Sequence, residues 1–307
     1  MLGLTKAYGD FKAVDDLDME VRKGEFLGLL GPNGAGKTTV LKAISGMSMP
    51  TSGTIQINGI DIRDHKRALE GVGCMVGTPE LYPTFTPSEM LEYVGRMQGI
   101  PENEIRVRAR DLLETMRMWS WRDKRIGGFS KGMKQRVSLA AVLIHNPRIL
   151  LLDEPSSGLD PRGMVEMRQI LKELNKGGMT LVMSTHLLKE ASELCTAMTM
   201  INHGKKIASG SVSDLLQKAG ATVRLDVKVA GDIPHGLIGK LEAVRSVKDP
   251  VLTDERTVTL YFDGSDEQQS EILEAIQSYG LRLLSVNESD GGLESVYMSL
   301  TDDGAEP

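Results

Sequence analysis

The sequence predicts an α/β core with a buried parallel sheet, followed by a smaller α+β domain. Three short apolar runs, at residues 26–30, 149–152 and 180–183, lead directly into polar residues. Continuous apolar runs of this length are typical of strands that are buried on both faces of a parallel sheet. Beyond residue 218 the pattern becomes strictly alternating, as in 223–229, which indicates half-buried strands of a separate unit. A chain of 307 residues can hold two such domains with a substantial core.

The first chemical signal is a phosphate-binding loop between the run 26–30 and a helical pattern. Residues 31–39 read Gly-Pro-Asn-Gly-Ala-Gly-Lys-Thr-Thr, a full match to G-x-x-x-x-G-K-[ST]. Glycines let successive N–H groups face inward, and the following helix N-terminus adds a partial positive charge. The predicted nucleotide-binding residues of this loop are Gly31, Asn33, Gly34, Ala35, Gly36, Lys37, Thr38 and Thr39. The loop therefore predicts binding of a nucleoside triphosphate, with Lys37 at its terminal phosphates and the Thr38 hydroxyl on Mg²⁺.

Two further strand ends supply acid–base groups. The run 149–152 leads into Asp153 and Glu154, and the run 180–183 leads into Ser184-Thr185-His186. Because ligands of an open parallel sheet bind at the carboxyl ends of its strands, we expect the two acids to face the phosphate loop. An Asp there can hold the metal, and the adjacent Glu can polarise an attacking water. A lone His is more often a packed or surface residue, but its place at a strand end of the same sheet favours function.

A fourth segment indicates a family. Residues 129–136 read Phe-Ser-Lys-Gly-Met-Lys-Gln-Arg, which resembles the signature motif of ABC transporter ATPases, with Lys131 for the first Gly and Met133 for the usual Gln. Ser130 also fits the N-cap of a helix. The order of motifs from about residue 4 to 215 resembles an ABC ATP-binding subunit of the drug and antibiotic exporter branch.

The resemblance implies the architecture in more detail. It implies a P-loop NTPase core at 1–217 with an antiparallel β subdomain and a helical subdomain at about 84–128. In the latter, Thr86-Pro87-Ser88-Glu89 predicts a helix that starts with a capping box. Trp119 and Trp121 near its end are interpreted as packing residues or, alternatively, as part of a docking face for a membrane partner.

The resemblance also implies roles for single residues. Tyr8 would stack on adenine, although a lone Tyr near a terminus is otherwise ordinary. Ser130 and Gly132 would serve the γ-phosphate of ATP held by a second subunit, and Asp160 would cross to that subunit besides capping a helix. Glu154 and His186 are the predicted catalytic pair, and Thr38 and Asp153 the predicted ligands of Mg²⁺. The implied ligands are ATP and Mg²⁺.

A further position departs from the family pattern, outside the signature motif. The stretch Gly77-Thr78-Pro79-Glu80 has a glycine where the family usually carries Gln or Glu near Mg²⁺ and the lytic water. A glycine has no side chain for that task. Either Thr78 or Glu80 substitutes, or coupling to the membrane subunit differs in this chain.

The composition of the chain limits the classes of partner that it can have. A net charge of −6 argues against nucleic acid as the main partner, and no apolar run approaches the roughly 20 residues that span a bilayer. The two cysteines, Cys74 and Cys195, have no metal-like spacing and are expected to be reduced packing residues. We therefore expect a soluble chain. The resemblance to ABC subunits further implies a place at the cytoplasmic face of the membrane, a homodimer or heterodimer of ATPase subunits, and a separate multi-span permease that the dimer drives.

The second domain is predicted at 218–300, with a disordered tail at 301–307. Its predicted order β-α-β-β-α-β is ferredoxin-like, with a strand around Val244 and Val247 and a turn at Asp249-Pro250. Its sequence carries no catalytic cluster. Three roles therefore stay open for this domain: support of the dimer, regulation, and a purely structural role.

Three function classes fit a chain with these motifs. The first is the ATPase subunit of an ABC exporter. The second, an ABC ATPase acting on ribosomes, typically has two cores, whereas this chain has one phosphate loop. The third, an ATPase acting on DNA, splits its halves by a long coiled coil, whereas only about 90 residues separate Thr39 from Phe129. The exporter subunit is favoured.

Overall fold

A computed structural model describes residues 1–77, 81–212, 214–215, 223–234, 236–262 and 265–289. The chain divides into two compact units, Met1–Gly210 and Ser211–Pro307. The predicted boundary after residue 217 and the predicted tail at 301–307 lie outside the described residues. No helix of the described part is both long enough and apolar enough to cross a bilayer.

The first unit combines one parallel sheet with two small antiparallel sheets. Its strands are β1 (Leu2–Tyr8), β2 (Phe11–Leu17), β3 (Phe26–Leu30), β4 (Ser52–Thr54), β5 (Gln56–Ile57), β6 (Ile60–Asp61), β7 (Val72–Met75), β8 (Ile149–Asp153), β9 (Thr180–Thr185), β10 (Ala197–Asn202) and β11 (Lys205–Ser211). Its helices are α1 (Lys37–Ile44), α2 (His65–Ala68), α3 (Pro87–Met97), α4 (Glu102–Thr115), α5 (Lys131–Leu143), α6 (Pro161–Lys176) and α7 (Leu188–Leu194).

The central sheet has the strand order β11-β10-β3-β9-β8-β7, and the pairs from β10 to β7 are parallel. All residues of β3 and β9 are buried, which confirms the three apolar runs as interior strands. Since β3, β8 and β9 are parallel neighbours, their carboxyl ends lie at one edge. The residues that follow these strands therefore meet there.

The antiparallel β subdomain and the helical block are also confirmed. Strands β2, β1 and β4 form one antiparallel sheet, and β5 and β6 pair in another. Helix α3 begins with the predicted capping box, because Thr86 Oγ1 accepts from Glu89 N at 3.2 Å and Glu89 Oε2 accepts from Thr86 N at 2.8 Å. Helices α3, α4 and α5 pack around buried side chains such as Leu91, Ile105 and Leu113.

The second unit has the predicted β-α-β-β-α-β order. Its elements are β12 (Val223–Ala230), α8 (Leu237–Leu241), β13 (Lys248–Asp254), β14 (Thr257–Phe262), α9 (Asp266–Ser278) and β15 (Arg282–Ser289). The sheet order β13-β14-β12-β15 is antiparallel throughout, and its core includes Leu225, Val227, Leu260 and Ile272. These observations confirm the ferredoxin-like interpretation.

One detail of that prediction was wrong. Val244 and Val247 do not form a strand but lie in turns after α8, where both contact the core. The strand starts at Lys248 and runs through Pro250, where a turn was expected. Pro250 is tolerated because β13 is an edge strand with an irregular register, so its missing N–H leaves no ladder position unfilled.

Candidate nucleotide-binding and hydrolysis site

The phosphate loop leaves the buried end of β3 and enters α1 at Lys37. Gly36 has φ +102°, and a Cβ there would lie 2.4 Å from the carbonyl oxygen of Ala13 in β2. A Cβ on Gly31 would lie 2.3 Å from the carbonyl oxygen of Ile201 in β10. Both positions therefore accept only glycine, and the loop is pressed against the backbone of two strands.

The other predicted loop residues differ in exposure. Ala35 is buried, and its carbonyl accepts from Gly204 N at 3.0 Å. Asn33 and Gly34 lie exposed at the outer turn, and Thr39 is half-buried in the first turn of α1. The outer part of the loop is thus open to a ligand, whereas its base is fixed.

Lys37 is the buried cation of the site. Only 5% of its surface is exposed, and its Nζ donates to the carbonyls of Gly31 at 2.7 Å and Pro32 at 3.0 Å. Nζ also lies 3.6 Å from Glu154 Oε1. Burial lowers the pKa of Lys37, and the negative charges of Glu154 and Asp153 oppose that effect. The ammonium group is thereby held inside the loop by carbonyls and acids.

Thr38 and Asp153 meet across the sheet edge. Thr38 Oγ1 lies 2.9 Å from Asp153 Oδ2 and 3.1 Å from Oδ1. Asp153 is the last residue of β8 and is paired in register with Ser184 of β9, whose hydroxyl donates to Oδ1 at 2.6 Å. Hydroxyl and carboxylate oxygens are ligands that Mg²⁺ prefers, so this pair fits the predicted metal.

Glu154 and His186 form the second contact at this edge. Glu154 follows β8 with a left-handed φ of +47°, and its N–H donates to Ser184 Oγ at 3.0 Å. His186 Nδ1 lies 3.1 Å from Glu154 Oε1. Burial raises the pKa of Glu154, but its hydrogen bonds and charge interactions with His186 and Lys37 prevail and hold that pKa below its ordinary value. Glu154 is therefore an ionised carboxylate at neutral pH.

Ser130, Gly132 and Asp160 line a different pocket, of about 530 Å³. Ser130 caps α5 and accepts from Met133 N at 3.3 Å, and Asp160 caps α6 and accepts from Gly163 N at 3.0 Å, which confirms both as helix caps. The residues found to line this pocket include none of the phosphate loop, β8 or β9. The predicted site residues thus fall into two groups.

An ion pair at the wall of this pocket joins the two helices. Arg136 Nη1 of α5 lies 2.9 Å from Glu166 Oε2 of α6, and both side chains are largely buried. Trp121, which is 45% exposed, also lines the pocket and packs edge-on against Phe129 at 6.0 Å between ring centroids. Trp119 lies against Arg122 instead, at 4.4 Å. Both tryptophans therefore make packing contacts, and Trp121 also borders an open pocket.

Tyr8 lies at the tip of the β1–β2 hairpin, opposite Phe11, and is 53% exposed. Lys6 Nζ lies 5.0 Å from the centre of its ring and donates to the Met49 carbonyl at 2.9 Å. Tyr8 thus presents an accessible aromatic ring whose cation partner is itself anchored.

Comparison with known proteins decides the family. The ABC transporter family model matches residues 14–157. The chain is 31% identical to the linearmycin resistance ATP-binding protein LnrL of Bacillus subtilis, covering 97% of this chain and 96% of that protein. It is 36% identical to the Nod factor export ATP-binding protein I of Ralstonia nicotianae, over 97% and 92% of the two chains.

The chain belongs to the ABC transporter ATP-binding family. A solved ATP-binding subunit of an ABC transporter superposes with a TM-score of 0.64 at 30% identity, covering 71% of this chain and 92% of that one. The chain is accordingly an ABC-type ATPase and an ATP-binding subunit of a transporter.

Within this ABC ATPase, the structure describes the surroundings of Gly77 and Lys131, two of the positions that depart from the family pattern. Gly77 has φ +80°, and no atom of the described residues lies within 4 Å of its Cβ position. Thr78 and Glu80, its predicted substitutes, lie outside the described residues. Lys131 extends over Gly158, because a Cβ on that glycine would lie 2.4 Å from Lys131 Nζ. The lysine of the variant signature thus contacts the segment that leads to Asp160.

Sequence reasoning missed Ser184 as a site residue. Its hydroxyl donates to Asp153 and accepts from Glu154 N, so it sets the positions of both acids. The signal in the sequence was a polar residue directly after the apolar run 180–183, two positions before the predicted His186. The link itself depends on β8 and β9 being neighbours, which the sequence does not state.

Proposed function

We propose that the chain is the ATP-hydrolysing subunit of an ABC exporter, that it dimerises head to tail around two ATP molecules, and that it drives a separate membrane permease. The observation that carries the proposal is the division of the site residues into two groups. Lys37, Asp153 and Glu154 lie at one edge of the central sheet, whereas Ser130 and Asp160 line a pocket of their own.

The second pocket is suited to an added anion, because its three arginines outnumber its two carboxylates, those of Asp160 and Glu166. It is bordered by the N-termini of α5 and α6, whose free N–H groups and dipoles attract negative charge, and by Arg162 and Arg117. In a head-to-tail dimer, the γ-phosphate held by one subunit's Lys37 would meet the other subunit's Ser130 and Gly132. The net charge of −6 makes the two chains repel each other, so the phosphate contacts must supply the attraction.

In the proposed reaction, water attacks the γ-phosphorus of ATP while the bond to the bridging oxygen of ADP breaks. Glu154 accepts the proton of the attacking water, and the Lys37 ammonium stabilises the charge on the phosphate oxygens. A phosphate that draws Lys37 away from Glu154 would also remove one of the two partners that depress the pKa of this base. His186 Nδ1 holds the carboxylate of Glu154 in place.

Thr38 and Asp153 would hold Mg²⁺, and Ser184 would orient Asp153. When bound, the metal neutralises charge on the β- and γ-phosphates. Tyr8 would stack on adenine through the face of its ring that is not covered by Lys6.

A groove of about 680 Å³ on the helical block fits the proposed permease contact. Phe85 and Tyr93 provide an aromatic surface, with ring centroids 5.8 Å apart, and Tyr82 adds a third ring beside them. Arg96 and Arg125 lie at the same groove. Partly exposed aromatic rings with a charged surround suit a short amphipathic segment of a membrane protein at the cytoplasmic face. The named functions of the two relatives, linearmycin resistance and Nod factor export, favour export as the direction.

Mixing two inactive variants tests the head-to-tail dimer. Lys37→Ala inactivates both sites of its homodimer, and so does Ser130→Ala. A mixed dimer combines both defects in one site and leaves the other site intact. We expect each pure variant to lose more than about 90% of its ATPase activity and the 1:1 mixture to recover up to roughly a quarter of the wild-type rate.

A mixture that stays at the mean of the two pure variants contradicts the shared site. The permease contact is tested separately with the chain reconstituted in proteoliposomes with a candidate permease. Tyr93→Ala should reduce permease-stimulated hydrolysis and leave the permease-free rate within about twofold of wild type. If the permease stimulates hydrolysis by Tyr93→Ala and by the wild type equally, the groove is not the permease contact.

A further inference from the structure

The segment Ser184-Thr185-His186 contacts a different carboxylate at each of its three residues. Ser184 Oγ donates to Asp153 at 2.6 Å, and His186 Nδ1 lies 3.1 Å from Glu154. Between them, Thr185 Oγ1 donates to Glu190 Oε2 at 2.8 Å. Asp153 and Glu154 belong to the hydrolysis site described above, whereas Glu190 has no role in it.

Glu190 is buried in a way that needs an explanation. Only 4% of its surface is exposed, and its second carboxyl oxygen, Oε1, has no hydrogen-bond partner among the described residues. Burying a carboxyl group with an unpaired oxygen costs free energy that an apolar side chain at the same place would avoid. A buried polar group of this kind requires a specific role, and packing alone does not supply one.

The partner of Glu190 sits directly beside His186 in the chain. Thr185 is buried at the end of β9, and its Oγ1 accepts from the N–H of Leu187 at 3.0 Å while it donates to Glu190. The hydroxyl thus links the residue before His186 to the residue after it. Glu190 fixes the direction of that hydroxyl, because a carboxylate oxygen accepts the proton and leaves the lone pairs of Oγ1 for the N–H.

His186 depends on such a support. Its side chain is 38% exposed, so packing does not fix it, and it lies between the end of β9 and the start of α7. We propose that Glu190 is a positioning residue that holds His186 against Glu154 through Thr185 and the backbone of Leu187. The inference rests on the proposed function, in which His186 supports the catalytic Glu154.

The test compares steady-state ATP hydrolysis by the full chain and its variants. Glu190→Ala should lower kcat by about tenfold with KM for ATP changed less than about twofold, because ATP is bound by other residues. Glu190→Gln keeps an oxygen that accepts from Thr185 and should retain at least about half of kcat. Thr185→Val removes the hydroxyl that links Glu190 to the Leu187 N–H, with little change of shape, and should reproduce the loss of kcat. Glu193→Ala is the matched control, since Glu193 lies on the same helix and pairs with Arg168, which takes no part in the contacts of Thr185.

His186→Ala separates this inference from the proposed function. If His186→Ala lowers kcat, Glu190→Ala added to it should lower kcat no further, because the residue it positions is gone. If Glu190→Ala lowers kcat in that background as much as it does alone, Glu190 has a general structural role and the inference is overturned. The inference is also overturned if the kcat values of Glu190→Ala and Thr185→Val equal that of Glu193→Ala. If His186→Ala itself leaves kcat unchanged, the proposed role of His186 fails and the inference fails with it. Should Glu190→Ala not fold, the Thr185→Val and Glu190→Gln pair decides the question in the same assay.

Discussion

His186 Nδ1 lies 3.1 Å from Glu154 Oε1, joining the ends of two neighbouring parallel strands. Because an ionised carboxylate only accepts hydrogen bonds, Nδ1 must carry a proton. In the neutral imidazole, Nε2 is then the unprotonated nitrogen. The contact therefore fixes the tautomer of the histidine and helps to lower the pKa of the acid.

The first prediction concerns the pKa of Glu154. Burial raises the pKa of Glu154, whereas contacts with His186 and Lys37 lower it. His186→Ala removes the His186 contact and leaves the Lys37 contact, so the pKa should move upward. In the unaltered chain the depressed pKa contributes stability that is present above the unfolded-state pKa and is lost as the pH falls through the folded-state value. A ¹³C NMR titration of labelled glutamate, with Glu154→Gln identifying the signal, measures the shift. An unchanged or lower pKa in His186→Ala would contradict the assigned contact.

The second prediction uses two glycines of the phosphate loop. Gly34→Ala places a Cβ in open space and adds only the strain of a left-handed alanine, so it should lower the free energy of unfolding by about 1–2 kcal/mol. Gly36→Ala adds the same strain and a clash with the Ala13 carbonyl. It should be the more destabilising variant and weaken ATP binding more than about tenfold. Denaturant unfolding and ATP titration of both variants check this order, and equal losses would argue against the tight contact with β2.

The third prediction separates two ways of losing ATP. Lys37→Ala should weaken binding in a dilute monomer at least about tenfold, since it removes the buried cation. Ser130→Ala should bind within about twofold of wild type, because Ser130 lies in the other pocket. Fluorescent-nucleotide titration at protein concentrations that keep the chain monomeric measures both. Similar losses in the two variants would mean that Ser130 serves the ATP of its own chain.

Much of this site could be predicted because its signals are local. The apolar runs before Gly31, Asp153 and Ser184 gave three strands, and a cap such as Ser130 or Asp160 needs only the next few residues of its own helix. The parallel sheet then brings the strand ends together without further information.

The remaining features depend on contacts that are distant in sequence. Ser184 acts on Asp153 because β9 lies beside β8, and Lys131 lies over Gly158 because α5 packs near the start of α6. The start of β13 was misplaced because Pro250 reads as a turn unless the strand is known to be an edge. Each of these cases required the strand order or the helix packing, which periodicity does not encode.

The fourth prediction addresses Gly77. Its φ of +80° favours glycine, so any side chain there carries backbone strain, but a Cβ at this position would meet none of the atoms that the structure describes. If coupling to the permease is weakened by the missing amide, Gly77→Gln should raise permease-stimulated hydrolysis at least about twofold over Gly77→Ala. The alanine variant carries the same strain without the amide and is the matched control. Rates that agree within twofold would indicate that this position does not touch the chemistry.

The central claim is that Glu154 is the base of a reaction that opens an ATP-bound dimer. Glu154→Gln keeps the shape of the side chain but removes the carboxylate that accepts the proton, so turnover should fall by about 10²-fold or more while ATP still binds. Size-exclusion chromatography with light scattering of this variant, with and without ATP, is the most direct measurement. The account predicts a dimer that forms with ATP and Mg²⁺ and dissociates without them, and no such dimer when Ser130→Ala is added. A variant that hydrolyses ATP at the wild-type rate, or that remains monomeric with saturating ATP, would contradict the account.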